Sequence, residues 1–285
     1  METRVSSKTR EVVISDTGPT VLIGERINPT GKKKLQAALL EGNLDIVRAE
    51  AIEQVAAGAD ILDVNVGVTG VDEVALLAEA VRAVMEVTEV PLCIDSSNPR
   101  ALEAALKVYE GRPLVNSVTA EESSLQDVLS LIKQHGAAVI GLTMDEKGIP
   151  QDSARRIELA RKIVERAESM GVSREDVVID CLNMPAAASP GGASTLIEAV
   201  TAIKSELGVN MTLGASNISF GLPERSLLNG SFLAVAIHLG VDCPVVDVAK
   251  VRTYVLAADA VLGRDQYMRR FIKDFRRRQK EAQSQ

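Results

Sequence analysis

Short apolar runs alternate with longer amphipathic ones along nearly the whole of this 285-residue chain. The short runs are VLIGER (21–26), ILDVNV (61–66), LCIDSS (92–97), LVNSV (114–118), AVIGLTM (138–144), VVIDCL (177–182), TLGAS (212–216) and VVDVA (245–249). Each is rich in Val, Ile or Leu and bounded by turn-forming or polar residues, the pattern of parallel strands buried on both faces. Between them, 71–87 repeats apolar residues three and four apart, 123–136 ends in a basic turn and Gly136, and 152–171 opens on Asp152 and closes on Gly171. Asn98 and Pro99 supply an N-cap and a first-turn proline for a further helix. Eight strand–helix units in this length predict an α/β fold, a (β/α)8 TIM barrel. A doubly wound open sheet is the second choice, weakened by the number of units and by the lack of a GxGxxG turn. No linker divides the chain, so residues 1–20 are expected as an N-terminal extension able to cap the barrel bottom, and 21–285 as one barrel domain ending in a basic helix.

Composition narrows the partners. An apolar content of 46% is enough for a large core, while aromatics at 2% and the lack of Trp leave no stacking platform for single-stranded nucleic acid. The net charge of −7 argues against nucleic acid generally. The one basic cluster, RRFIKDFRRRQK at 269–280, reads first as a solvated helix end and second as a docking patch for an acidic partner. Cys93, Cys181 and Cys243 lack CxxC spacing and read as buried small hydrophobes in a reducing compartment. The N-terminus has no apolar signal core, and no run approaches the roughly 18 apolar residues of a membrane span. A soluble, cytoplasmic protein without a membrane partner is expected.

In a barrel the site lies at the C-terminal ends of the strands. Those ends carry Glu25, Arg26 and Asn28; Asp63 and Asn65; Asp95, Ser96 and Ser97; Asn116 and Ser117; Thr143, Met144 and Asp145; Asp180 and Asn183; and Ser216 and Asn217. Any one of them could simply end a strand and cap the next helix. That explanation weakens where the polar residue interrupts an apolar run, as in IDSS, VNS and VID. Several buried polar groups facing one mouth need partners, and a ligand can supply them. His135 and His238 fall in helical runs, so a histidine metal site or a Ser–His dyad is disfavoured, and no P-loop is present. Carboxylates and amides suit a flat heterocycle with adjacent N–H donors. The amino group and ring N–H of a pterin can both donate to one buried carboxylate, and asparagine can serve the other edge.

The segments GERINPTG, DVNVG, CIDSSNPRALEAAL, VNSVTAEE, IGLTMDEKGIP, VIDCLNMP and GASNISFG with ERSLLNGSFL resemble the methyltetrahydrofolate:corrinoid methyltransferases, a branch of the pterin-binding barrels. The resemblance runs from about residue 21 to 260. It implies a homodimeric barrel that moves a methyl group between N5 of tetrahydrofolate and the cobalt of a corrinoid protein. It further implies that Asp180 grips the pterin amino edge, that Asn116 and Asp95 bond other ring nitrogens, that Asn217 faces N5, and that Arg225 lies near the folate tail. Asp63, Asn65 and Ser216 join the same cavity. Position 220 departs from the acetogenic members, which carry a polar amide there; Phe220 leaves one hydrogen-bonding group fewer near N5. No DxHxxG corrinoid-binding motif is present, so the corrinoid is expected on a separate protein docking over a wide mouth.

The chemistry explains why an amide serves at N5. An amide anion is a poor leaving group, so N5 must gain a proton or a strong hydrogen bond as the C–N bond breaks. Co(I) is already a strong nucleophile. A neutral donor that tightens as charge develops is worth about 3–4 kcal/mol. No acid lies in LGASNISFG (213–221), so the proton is expected from solvent. The enzyme rival is condensation of a pterin with p-aminobenzoate, as in dihydropteroate synthase. That reaction wants a diphosphate site with an NVTPDSF-like loop, where this chain has INPTGKKKLQ, its lysines reading as a solvated helix start. The non-enzyme rival is a folate-binding subunit, which has no need of Asn217 at N5.

Overall fold

The structure, a computed structural model, describes residues 1–187 and 191–283. Eight parallel strands form its centre: β3 (Ile23–Ile27), β4 (Ile61–Val64), β5 (Leu92–Asp95), β6 (Leu114–Thr119), β7 (Ala138–Leu142), β8 (Val177–Asp180), β9 (Asn210–Thr212) and β10 (Val245–Val246). They pair in the order β10-β3-β4-β5-β6-β7-β8-β9, and a parallel bridge between Gly214 and Val245 links the two outer strands into a barrel. All but β9 coincide with the apolar runs of the sequence. The main departure is the seventh run, 212–216, of which only Thr212 lies in the strand: β9 starts earlier, at Asn210, and residues Ala215–Ser219 form a 3-10 turn. The last strand is also shorter than its apolar run.

The helices sit outside. They are α1 (Lys33–Leu40), α2 (Asp45–Ala57), α3 (Glu73–Met85), α4 (Pro99–Val108), α5 (Glu122–His135), α6 (Ser153–Ser169), α7 (Gly192–Leu207), α8 (Arg225–Leu239), α9 (Val248–Val261) and α10 (Arg269–Gln283). Their starts follow local chemistry. Asp72 accepts from the Val74 and Ala75 N–H groups, Asn98 from Arg100 with Pro99 behind it, and Asp152 from Arg155, each satisfying a helix-end donor. Gly136 ends α5 in the left-handed conformation at φ 64°, which a side chain would resist. The three cysteines are free and buried.

Two apolar layers result. One lies between strands and helices. The other fills the barrel: Ile23, Ile61, Cys93, Leu114, Ile140 and Val178 meet there, joined by Val5, Val12 and Ile14. Those last three come from an antiparallel hairpin, β1 (Glu2–Ser6) with β2 (Glu11–Ser15). It lies across the strand N-termini, where Ser6 exchanges backbone bonds with Arg112 and Thr3 Oγ1 donates to the Glu175 carbonyl at 2.5 Å. Among the described residues, no helix is long and apolar enough to cross a membrane.

Candidate active site

Alternation along the strands builds the mouth. Ile23, Ile61, Cys93, Leu114 and Val178 point into the barrel, so the residues two further on point the same way, one layer higher. Those residues are Glu25, Asp63, Asp95, Asn116 and Asp180. The ladder aligns Asp95 with Asn116 and Asp180 with Thr212. The polar interruptions of the apolar runs therefore converge at one end.

Asn116 Nδ2 donates to Asp63 Oδ1 at 3.2 Å, and Asn65 Nδ2 donates to Asp95 Oδ2 at 3.0 Å. Two acids and two amides thus interlock across three strands. Burial, then the charge of Asp95, pushes the Asp63 carboxyl well above the usual range. Burial pushes Asp95 up to about 6. Two close carboxyls with no cation resist ionising together, so the pair holds a proton more tightly than either acid would in water.

Asp180 stands apart from that cluster. Its Oδ1 accepts from the Leu182 N–H at 2.6 Å. Leu182 reaches it from a left-handed backbone, φ 58°, a conformation costing a non-glycine residue about 1–3 kcal/mol. Burial pushes the Asp180 carboxyl up to about 6 against the Leu182 bond. Arg156, only 2% exposed, lies nearby but gives its N–H groups to the carbonyls of Pro150, Cys181 and Leu182. Asn183 is buried with both amide atoms unpartnered, as is the Thr143 hydroxyl.

The 3-10 turn after β9 forms another wall. Ser216 Oγ donates to Glu25 Oε1 at 2.8 Å, and Asn217 beside it is exposed. A Cβ at 214 would stand 3.0 Å from Asn217 Nδ2, so a side chain there would push the amide aside. Arg225 Nε donates to Ser219 Oγ at 3.0 Å and its Nη2 to the Ser216 carbonyl at 3.0 Å. Its guanidinium lies 6.0 Å from the Phe220 ring centre. Arg225 thus braces the turn that carries Asn217. A polar pocket of about 210 Å³ opens here, lined by Glu25, Ser216, Arg225, Asn229, Asp247 and Lys250 among others. A wider hollow of about 600 Å³ is lined by α10 residues alone and is separate from the strand ends.

The mouth therefore gathers Asp63, Asn65, Asp95, Asn116, Asp180, Ser216 and Asn217, with Arg225 behind the turn. Two features were not legible in the sequence as site chemistry. Glu25 stood among the strand-end residues, yet nothing tied it to Ser216, 191 positions away. Arg156 sits in an Arg–Arg pair whose spacing does not tell which member turns inward. Lys32, read as part of a solvated helix start, instead donates to the Arg26 carbonyl at 2.7 Å, while Lys33 and Lys34 are exposed.

Residues 24–247 match the family described as "Pterin binding enzyme". The chain is 33% identical over 268 residues to the methylcorrinoid:tetrahydrofolate methyltransferase of Eubacterium limosum, covering 90% of this chain and 96% of that protein. It is 32% identical over 263 residues to the methionine synthase of Mycobacterium leprae, of which it spans 22%. Among solved structures, Yersinia pestis dihydropteroate synthase with a pterine-sulfa conjugate superposes with a TM-score of 0.70 at 15% identity, covering 91% of this chain and 98% of that one. Dihydropteroate synthase from Xanthomonas albilineans in complex with 7,8-dihydropteroate gives 0.64 at 20% identity, covering 91% and 98%. At such identities these two likenesses speak for the fold alone.

Proposed function

This chain belongs to the pterin-binding enzyme family, and within it we propose that the protein is a methyltransferase moving a methyl group between N5 of tetrahydrofolate and the cobalt of a corrinoid carried by a separate protein. The observation that carries the reading is the link between Asp180 and Asn217. Asp180 pairs with Thr212 in the ladder, and the turn that bears Asn217 starts three residues after Thr212. An acceptor for the pterin amino edge and a donor for N5 thus belong to one continuous wall.

Asp180, ionised, accepts from the amino and ring N–H groups of the pterin. Asn116 and Asp95 serve other ring nitrogens, with Asp63 and Asn65 orienting them. Asn217 donates toward N5 as the C–N bond breaks, and Arg225 with Ser216 holds the turn on which it rides. The reaction is an in-line displacement, so positioning and stabilisation of developing charge are what the protein contributes. Pterin condensation with p-aminobenzoate is disfavoured by Lys32, whose ammonium is engaged by the Arg26 carbonyl rather than offered to a diphosphate.

The protein acts as a homodimer in the cytoplasm. Leu227, Val235, Tyr254, Val261 and Leu262 expose apolar surface on α8, α9 and the turn after it, and Val261 is 84% exposed. That favours a covered face. Three free, buried cysteines suit a reducing compartment.

Calorimetry tests the site. Methyltetrahydrofolate should bind the native protein and bind Asp180→Asn more weakly by about 1.5–3 kcal/mol, the range for a hydrogen bond to a charged group. Equal affinity in a folded variant removes Asp180 from the pterin site. Turnover of p-aminobenzoate with a pterin diphosphate would favour the rival reaction. Sedimentation of Val261→Glu as a monomer, against a native dimer, checks the apolar face.

A further inference from the structure

The turn 215–219 contains no acid of its own, but the barrel brings one to it. Glu25 lies at the centre of β3, half-buried, and its Oε1 accepts from the hydroxyl of Ser216, the residue directly before Asn217. The pairing of β3 with β10 sets Asp247 beside it, and both line the pocket that opens next to the turn. We propose that Glu25, acting through the Ser216 hydroxyl, holds and delivers the proton that N5 gains when the methyl group leaves. The inference rests on the methyl-transfer reading above and replaces solvent as the immediate proton source.

The chemistry balances without a further reactant. The C–N5 bond breaks with its electron pair going to N5, and the Co(I) lone pair forms the Co–C bond. Ser216 gives its hydroxyl hydrogen to N5 and takes one from the Glu25 carboxyl, which is left as a carboxylate. Solvent recharges Glu25 between turnovers through the open pocket. In the reverse direction each transfer runs backward. A hydroxyl suits this role because it can reverse its polarity by rotation. While Glu25 is ionised, Ser216 must spend its hydrogen on Oε1. Once Glu25 is protonated, the carboxyl donates to Ser216 and frees that hydrogen for the ligand.

The surroundings fit an acid that keeps its proton. Burial raises the Glu25 carboxyl above the usual range, the Ser216 bond opposes this, Asp247 adds to it, and Lys32 and Arg225 oppose it. Asp63, on β4, is a further charge felt across the mouth, and Glu224 and Lys250 line the same pocket. Lys250 is drawn off by Asp247 at 2.7 Å and Arg225 by the turn carbonyl and Ser219, so neither bonds the Glu25 carboxyl.

The test uses the full chain, methyltetrahydrofolate at saturation and free Co(I) cobalamin, with single-turnover transfer followed across pH. Glu25→Gln keeps the shape of the side chain but cannot release a proton, and Ser216→Ala removes the link. Each should slow transfer by roughly 10²-fold, the lower range for a positioned general acid. Their folate affinities by calorimetry should stay within about threefold, as a group acting only in transfer requires. The double variant should be no slower than either single one, because both changes cut one relay. The native rate should fall as pH rises through the Glu25 titration, and Glu25→Gln should lose that fall. Losses that multiply in the double variant, rates near native, a high-pH decline that survives in Glu25→Gln, or affinity falling in step with rate would each overturn the relay. If the native protein moves no methyl at all, the parent reading fails instead.

Discussion

The two ends of the barrel handle buried acids in opposite ways. At the lower end each acid has its cation. Lys204 Nζ lies 2.7 Å from Asp242 Oδ2, which also accepts from the Met211 N–H. Asp259 accepts from the Thr20 hydroxyl and N–H and from Arg270 at 3.2 Å. The hairpin then seals that end with Val5, Val12 and Ile14, and Asn210 Nδ2 donates to Thr3 Oγ1 and the Ile14 carbonyl. At the upper end Asp63, Asp95 and Asp180 have only amides and backbone N–H groups, and no ion pair among the described residues involves them. The lower end is built to hold the chain together. The upper end keeps acceptors in readiness for N–H donors that a ligand brings, at a cost in stability.

Substitutions at the two ends should therefore separate transfer from folding. The largest effect is expected at the top. Asn217→Ala should slow methyl transfer to Co(I) by roughly 10²–10³ and weaken ground-state folate binding much less, since the donor tightens only as N5 gains charge. Single-turnover rates and calorimetry on the same variant check this, and unchanged transfer would reduce Asn217 to a turn residue. At the bottom, Ile14→Ala should cost about 2–5 kcal/mol of stability in denaturant while transfer per folded molecule stays native. A transfer defect in the folded variant would break the division between the ends.

Asp180→Asn should act in both directions. The folded carboxyl titrates at about 6 against an ordinary value of 3.8, so the native state holds this proton more tightly than the unfolded chain does. Stability then falls as pH rises from about 4 to 6, and the penalty is complete above that window. Two pH units correspond to about 3 kcal/mol at most, so the ligand-free Asn variant should be more stable than native at pH 7 by about 2 kcal/mol. Denaturant melts at pH 4 and 7 test the sign, because the gain should vanish at the lower pH. The smallest effect is on binding across pH. If ionised Asp180 grips the pterin, native affinity for methyltetrahydrofolate should weaken by up to about tenfold for each unit below 6, and Asp180→Asn should show a shallower dependence.

Much of this was legible in the sequence, for definite reasons. Strands buried on both faces must be apolar throughout, so the eight runs stood out, and an Asp or Asn inside one of them, as in VID or VNS, could be noticed as an interruption. Alternation then fixed which way Asp95, Asn116 and Asp180 point. What escaped was set by contacts between distant segments. The seventh run was read at 212–216, where β9 is already ending; apolar and small residues carry on from Thr212 into the 3-10 segment, so the boundary left no period to read. Glu25 and Ser216 meet only because the barrel closes β9 and β10 against β3. Arg225, a tail contact by resemblance, also bonds to the turn that precedes its own helix, which its position in the sequence did not reveal.

The most direct measurement mixes the native protein with methyltetrahydrofolate and free Co(I) cobalamin under anaerobic conditions and follows the corrinoid spectrum. The account predicts that the Co(I) spectrum gives way to that of methylcobalamin, with one tetrahydrofolate formed per cobalt methylated, and that Asn217→Ala at the same folate saturation is slower by the factor given above. A Co(I) spectrum that persists unchanged with folded, folate-saturated native protein would contradict it.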